Sequence, residues 1–306
     1  MNYKYYLYGL NVESEIEIEE AYAKDFDGEP DVRIIYGEMP EGVREMYKEK
    51  TESDYFCASA ATGMVFRVPD VADYWVQESL ITVHPFENTP LMRIKTFLLG
   101  SSFGLAMQLR KQVVLHGGGI SKYGKGIIVT GESGAGKSTV SDSLLNAGYE
   151  FIADDVCALS DNGDKMHINM AYPQQKLCRD AAVNRGYDLD ELIYINESRD
   201  KFALRLKDGF LPEGMDFDYL FELVLSDGDE LKCRQVTGQE KLMLLMKNIY
   251  RGDDGFRRWG VPTDYMKKCL KVASTIKVYQ IARPANLNTL PEIISYVEEC
   301  VKEEAV

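Results

Sequence analysis

The segment GIIVTGESGAGKSTVSDSLLNAGYEFIADD, running from Gly126 to Asp155, decides the reading of this chain. Within it, Gly131-Glu132-Ser133-Gly134-Ala135-Gly136-Lys137-Ser138 fits G-x-x-x-x-G-K-[ST]. Glycines in that pattern let backbone N–H groups close around phosphate oxygens, while the Lys reaches the β- and γ-phosphates and the hydroxyl serves Mg²⁺. The flanks supply the frame the pattern needs. Ile127-Ile128-Val129 predicts a buried strand entering the loop, and Ser138 to Asn146 predicts a helix whose N-terminus aims its dipole at the anion. Gly148 then ends that helix. The nucleotide-binding set is therefore Gly131, Ser133, Gly134, Ala135, Gly136, Lys137, Ser138 and Thr139.

Beyond the helix, Tyr149-Glu150-Phe151-Ile152-Ala153 is a second short apolar segment that ends in Asp154-Asp155. A strand here delivers the acids to the same end of a sheet as the phosphate loop. Two adjacent carboxylates can divide the labour of phosphoryl transfer, one holding Mg²⁺ and the other accepting the proton of an attacking hydroxyl. The alternative is a solvated Asp-Asp turn.

Upstream, Gln112-Val113-Val114-Leu115 predicts another buried strand, with His116 at its end and Gly117-Gly118-Gly119 following as a turn. His116 is either a group beside the γ-phosphate and acceptor or a hydrogen-bonded core histidine.

His116, the loop Gly131 to Ser138, Gly148 and the ending Ala153-Asp154-Asp155 together resemble the catalytic core of the HPr serine kinase/phosphorylase family, a relative of ATP-dependent phosphoenolpyruvate carboxykinase. The resemblance covers residues 111 to 160 and weakens beyond. It implies that Asp154 is the base toward a serine hydroxyl, that Asp155 and Ser138 attend Mg²⁺, that Lys137 binds the β/γ-phosphates, and that His116 orders the site. The implied catalytic residues are Asp154, His116 and Lys137, the implied metal ligands Ser138 and Asp155, and the implied cofactors ATP and Mg²⁺.

The chain departs from HPr kinase in two places. Thr139 follows the loop serine where HPr kinase carries Glu, and the Gly-Arg-Asn signature before an apolar strand is not found. The layout is similar to HPr-kinase-like proteins beside peptide natural-product pathways, including lasso-peptide tail kinases. Those also have a Tyr-rich opening strand, a helix before the Leu-His motif, a Pro…Lys-Leu segment, here Tyr172-Pro173-Gln174-Gln175-Lys176-Leu177, and a basic residue before a later strand, here Lys201.

Composition limits the classes available. The chain has 306 residues, with 49 acidic against 35 basic side chains and a net charge of −14, which repels nucleic acid and anionic membranes and is compatible with a cationic peptide acceptor. Cys57, Cys157, Cys178, Cys233, Cys269 and Cys300 form no C-x-x-C pair, so reduced thiols in a cytoplasmic protein are expected. The opening Met1-Asn2-Tyr3-Lys4-Tyr5 reads as a strand and not as a signal peptide. The apolar stretch Thr96 to Leu109 is shorter than the roughly 20 residues a spanning helix needs and reads as a buried helix.

Residues 1–88 hold the alternating runs Tyr5 to Tyr8, Val32 to Ile35, Met64 to Val68 and Leu80 to Val83, which predict a small β-rich domain. The acidic run Glu13 to Glu20, with Ile16 and Ile18 interleaved, reads as a solvated strand face. After a turn at Pro85 to Pro90, a helix from Leu91 to Lys111 leads into the kinase domain, residues 89–306. There Asp161 to Asp164 reads as a turn, Phe202 to Leu206 and Tyr219 to Leu225 as strands, and Gln239 to Ile249 and Leu290 to Glu303 as helices. Arg251, Arg257, Arg258 and Trp259 form the densest basic-aromatic patch, read as a nucleotide or substrate clamp or as surface charge around a packed Trp. The fold class expected is α/β, a P-loop kinase core of the HPr kinase/phosphoenolpyruvate carboxykinase type with a small β-rich N-terminal lobe. The function expected is transfer of the ATP γ-phosphoryl group to a hydroxyl, a serine of a peptide or small protein. The alternatives are a small-molecule kinase on the same scaffold and a nucleotide-binding regulator without transfer.

Overall fold

The computed structural model describes residues 2–60, 62–184, 186–195, 200–206, 208–252 and 260–302. An eight-stranded sheet is drawn from the leading residues, in the order Tyr22–Ala23, Tyr3–Leu7, Leu10–Ser14, Val32–Tyr36, Leu80–Pro85, Ala72–Val76, Gly63–Val68, Phe56–Ala60. Strands Gly63–Val68 and Ala72–Val76 are buried along their whole length, because alternate side chains serve different layers. Val65 and Trp75 pack under Met39, Val43 and Tyr47, whereas Met64, Phe66, Tyr74 and Val76 enter the main core.

The acidic run departs from its reading as a strand. Pairing stops at Ser14, yet Ile16 and Ile18 remain buried, and Glu20 is buried against Lys95 with a 2.7 Å ion pair. Burial of that pair requires a partner for the carboxylate. Lys95 supplies it from the helix that follows the sheet.

The second sheet runs Lys125–Gly131, Val113–Lys122, Val156–Asn162, Lys165–Ile168, Met215–Ser226, Lys277–Pro284, Lys232–Val236. Met215–Ser226 pairs with Lys165–Ile168 at its start and with Lys125–Gly131 along its length, which curls the sheet back on itself. Lys125–Gly131, Met215–Ser226 and Lys277–Pro284 are mutually parallel, so Gly131, Ser226 and Pro284 end at one edge. Ile127, Val129, Tyr219 and Phe221 pack toward the helices Lys137–Asn146 and Leu290–Lys302. Ile128 and Leu220 face the opposite core, which holds the helices Gly238–Lys247 and Thr263–Thr275. The chain is thus a mixed α/β protein with large sheets. A three-stranded sheet, Gln174–Cys178, Lys201–Arg205 and Ile193–Ile195, lies apart from these two.

Gly117-Gly118-Gly119 is not a turn. The strand continues unbroken from Val113 to Lys122, and His116 lies within it. The glycines are required by close approach: a Cβ on Gly117 would fall 2.5 Å from the Val129 carbonyl oxygen, and one on Gly118 would fall 2.6 Å from Ser141 Oγ on the helix Lys137–Asn146. The helix expected from Leu91 to Lys111 is α-helical at Leu91–Phe97 and Phe103–Leu109, with a π-helical segment, Leu98–Ser102, between. The last helix is described to Lys302, so Glu303 lies outside the described residues, as do Arg257, Arg258 and Trp259. Among the described residues no helix is long and apolar enough to cross a membrane. None of the six cysteines is joined in a disulfide.

The leading sheet and the second sheet share one hydrophobic core, in which Tyr8, Phe103, Val114, Tyr172 and Val278 all take part. Tyr8 fastens the seam. Its N–H donates to the Met170 carbonyl at 2.8 Å, its hydroxyl donates to the Leu99 carbonyl at 2.8 Å, and its ring meets Phe103 at 5.7 Å and Tyr172 at 6.4 Å.

Candidate active site

The loop Gly131 to Ser138 leaves the strand Lys125–Gly131 at the edge where the parallel strands end. Gly131, Gly134 and Gly136 have φ of +137°, +86° and +99°, values open to glycine and strained for other residues. A Cβ on Gly131 would also fall 2.2 Å from the Leu223 carbonyl oxygen. Lys137 begins the helix and folds back on the loop, donating to the carbonyls of Gly131 at 2.8 Å and Glu132 at 3.2 Å, and Ser138 lies in the same first turn. Arg283 clasps the loop from the end of Lys277–Pro284, one strand beyond Met215–Ser226, with Nε donating to the Ala135 carbonyl at 2.7 Å and Nη2 to that of Gly134 at 3.4 Å. Thr139, Arg283, Leu287 and Asn288 line a cavity of about 130 Å³ on this flank.

The two acids sit in a bulge. Glu150–Ala153 pairs with Val113–Lys122 as far as Gly119, and the pairing resumes at Val156 opposite His116. Asp154 and Asp155 are the residues left between, where Asp155 has φ of +61° and its carbonyl accepts from Gly117 N–H at 3.2 Å. On the other side of the same strand, Thr130 stands opposite Gly117. One strand therefore separates the loop from the acids, a span of about 10 Å at about 4.8 Å per strand.

Cations come from the small sheet. Lys176 is paired with Ala203, and Lys201 lies two residues from Ala203 on the same strand, so both side chains project from one face. Lys176 N–H donates to Asp154 Oδ2 at 2.7 Å, and its ammonium is 3.5 Å from Asp155 Oδ2. Burial together with the charge of Asp155 raises the Asp154 pKa to about 7. Burial also opposes ionisation of Asp155, but Lys176, Lys201, His116 and Lys137 outweigh it and hold this carboxyl down at about 2. Near neutral pH the pair thus contains one firmly ionised carboxylate and one that exchanges its proton.

His116 is half-buried, and its ring lies 5.8 Å from that of Tyr250. Burial lowers its pKa, while Asp155 pulls in the other direction, so the imidazole is held toward its neutral form. Asn248 braces this region: its carbonyl accepts from His116 N–H at 2.9 Å, its Oδ1 accepts from the Thr130 hydroxyl at 2.9 Å, and its Nδ2 donates to Glu222 at 3.1 Å. Glu222 is 1% exposed and lies 3.3 Å from the Lys247 ammonium, which also reaches Glu132 of the loop at 3.3 Å.

Two further cavities meet at Tyr250 and Arg251. One of about 400 Å³ is lined by His116, Gly131, Glu132, Ser133 and Lys247. The other, about 520 Å³, runs from Asp154, Asp155 and Lys176 to Tyr55 and to Phe66 and Val68 of the leading sheet. The structure therefore gathers the loop, His116 and both acids along one edge, with Thr139 on the far flank of the loop. Lys176 and Lys201 were visible in the sequence only as weak correspondences. Arg283, Asn248 and Glu222 were missed, for they lie far downstream in segments that carry no motif.

Residues 107–178 match the HPr Serine kinase C-terminal domain. That segment contains His116, the whole loop Gly131 to Ser138 and both acids, so the family resemblance holds over the site itself. HPr kinase/phosphorylase of Lachnoclostridium phytofermentans is 27% identical over 136 residues, 42% of this chain and 44% of that protein. The Exiguobacterium enzyme of the same name is 30% identical over 111 residues, 35% of this chain and 34% of that protein. The chain thus spans less than half the length of these curated relatives. Among solved structures, the Hpr(Ser) kinase/phosphatase from Coxiella burnetii is 14% identical with a TM-score of 0.32, covering 62% of this chain and 97% of that one.

Proposed function

We propose that this chain is an ATP-dependent kinase with a P-loop core of the HPr kinase/phosphoenolpyruvate carboxykinase type in residues 89–306 and a β-rich lobe in residues 1–88. The γ-phosphoryl group passes to a hydroxyl, a serine of a peptide or small protein. The observation that carries this reading is the split acid pair one strand from the phosphate loop, with Asp154 raised to about 7 and Asp155 held near 2. A base with a pKa near the working pH combines a usable ionised fraction with enough basicity to take a proton.

In this reading the loop N–H groups and Lys137 cradle the phosphates. Ser138 and Asp155 offer the hard oxygen donors that Mg²⁺ takes, with its remaining ligands drawn from phosphate and water. Mg²⁺ would offset the phosphate charge. Asp154 accepts the serine proton as the serine oxygen bonds to the γ-phosphorus, and the bond from that phosphorus to the β,γ-bridging oxygen breaks to release ADP. Neutral His116 packs beside the acids and helps to hold the Asp155 carbonyl. The free thiols agree with a cytoplasmic setting.

The relatives' name makes HPr the first acceptor to try, while Thr139 and the missing Gly-Arg-Asn signature favour a different peptide or small protein. Incubation with Mg·ATP and a panel of HPr, serine-terminated peptides, free serine and sugars, read by mass spectrometry, tests this. A phosphopeptide product with HPr unmodified supports it. Product from free serine or sugar alone replaces it with the small-molecule kinase, and nucleotide binding without any transfer replaces it with the regulator.

A further inference from the structure

The cavity that begins at the acids extends well beyond them, and one wall is a single helical face. Arg93, Thr96, Phe97, Gly100 and Ser101 line it, at the i, i+3, i+4, i+7, i+8 spacing of one stripe. In a helix otherwise packed into the core, such a stripe is usually apolar. Here it carries a guanidinium along a half-open cavity, while the Thr96 hydroxyl donates to the Met92 carbonyl at 2.9 Å and that of Ser101 accepts from Arg251 at 3.1 Å. Gly100 stands beside the Lys176 ammonium, with a Cβ there falling 3.8 Å from it, so this end of the stripe lies at the acids. Arg93 lies seven residues earlier, about 10 Å along the axis at about 1.5 Å per residue.

Arg93 is the unexplained group. Its Nε is buried without a hydrogen-bond partner among the described residues, and its guanidinium makes one long contact, 3.4 Å to the Asp70 carbonyl. Among the described residues it forms no ion pair. A guanidinium that is partly desolvated and unmatched by an acid is costly unless a ligand completes it, and its fork suits a carboxylate. The net charge of −14 does not oppose this, because charges more than about 8–10 Å away are screened at physiological salt while a guanidinium inside a cavity acts at contact range.

Resting on the kinase reading above, we propose that this cavity is the acceptor site and that Arg93 selects acceptors carrying a carboxylate one or two residues from the reacting serine. That separation places the hydroxyl at Asp154 with the anion at the other end of the stripe. The carboxylate is either an acidic side chain or a peptide C-terminus.

The test compares fluorescein-labelled serine hexapeptides of one sequence: a neutral C-terminal amide, an amide with glutamate two residues from the serine, and the neutral sequence with serine penultimate and a free C-terminal carboxylate. Binding is read by anisotropy and transfer separately by mass spectrometry. One or both acidic forms should bind the wild-type protein roughly 10–100-fold more tightly than the neutral amide, the range of a charge-assisted contact. Arg93→Gln should abolish that preference and Arg93→Lys should restore part of it. The glutamate and free-acid arms distinguish the two sources of carboxylate. Equal binding of all three peptides to wild type, or no binding of any at millimolar concentration, overturns the inference without requiring a variant. Acid-selective binding without phosphoryl transfer would keep the anion site and discard the kinase.

Discussion

Lys176 donates its backbone N–H to the carboxylate of Asp154 at 2.7 Å, while its side chain turns 3.5 Å away to Asp155. One residue thereby treats two neighbouring acids differently. The hydrogen bond favours ionised Asp154, but burial and the adjacent charge of Asp155 prevail, and the ammonium is spent on Asp155. Asp154→Asn should retain Mg·ATP binding and lose phosphoryl transfer by about 10²–10⁴-fold, the share a general base contributes. Asp155→Asn should also weaken the response to Mg²⁺, and Asn is the suitable replacement because it tolerates the left-handed backbone at this position. Equal and mild losses in both variants would remove the base and metal roles from the pair.

The same carboxyl sets a pH dependence. Transfer should rise with pH through about 7 as Asp154 loses its proton. Stability should move the other way. Folded Asp154 keeps its proton up to about pH 7, whereas the unfolded chain releases it near about 3.9, so between those values the native state binds more protons and stability falls as pH rises. Asp154→Asn removes this penalty. Its denaturation midpoint should exceed that of wild type by a margin that grows from pH 4 to pH 7 and then levels, worth on the order of 1–4 kcal/mol. A margin independent of pH would contradict the assignment. Asp155, held near 2, instead contributes stability that is present above about pH 4 and lost on acidification.

Lys137→Ala and Ser138→Ala should each remove most of the thermal stabilisation conferred by Mg·ATP while leaving the melting point of the free protein within a few degrees, since Lys137 bonds to the loop carbonyls and neither residue belongs to the buried core. Unchanged nucleotide stabilisation in both variants would remove the phosphate-loop reading.

Arg283→Ala should raise the KM for ATP roughly tenfold with kcat little changed. The side chain holds the Ala135 and Gly134 carbonyls and so fixes the loop in its binding shape, and charged donors to such groups contribute about 1.5–3 kcal/mol, less where solvent reaches them. A loss confined to kcat would place Arg283 in the chemistry instead.

Gly117→Ala should lower stability by about 1–3 kcal/mol, measured by denaturant unfolding, because the new methyl would meet a backbone carbonyl 2.5 Å away that cannot rotate aside. Gly118→Ala should be milder, since its obstacle is the Ser141 hydroxyl, the end of a side chain with other rotamers. Equal effects would show that the strand adjusts as a whole.

The contrast between these glycines explains what could be read in advance. Gly134 and Gly136 belong to a local pattern whose geometry is written in consecutive residues, so the loop and its helix were legible. The strand at Gly117 to Gly119 was not, because it depends on Val129, Ser141 and Cys157 approaching from other elements. Glycine runs signal turns when only local freedom is weighed. The acid pair was legible as chemistry, but the asymmetry between its members was not, for it comes from Lys176 and Lys201 on a separate sheet. Thr263–Thr275 and Lys277–Pro284 went unassigned, and with them Arg283, since no motif marks the parallel strand that carries it.

The seam around Tyr8 bears on how such a molecule can change. Its two hydrogen bonds and its contacts with Phe103 and Tyr172 bury the join between the leading sheet and the second sheet within one core. The two halves should melt in a single calorimetric transition, and neither is an interchangeable cassette. New acceptor preferences would then arise by point substitution along the shared wall, at positions such as Tyr55, Phe66 and Arg93, in preference to recombination with a foreign recognition module.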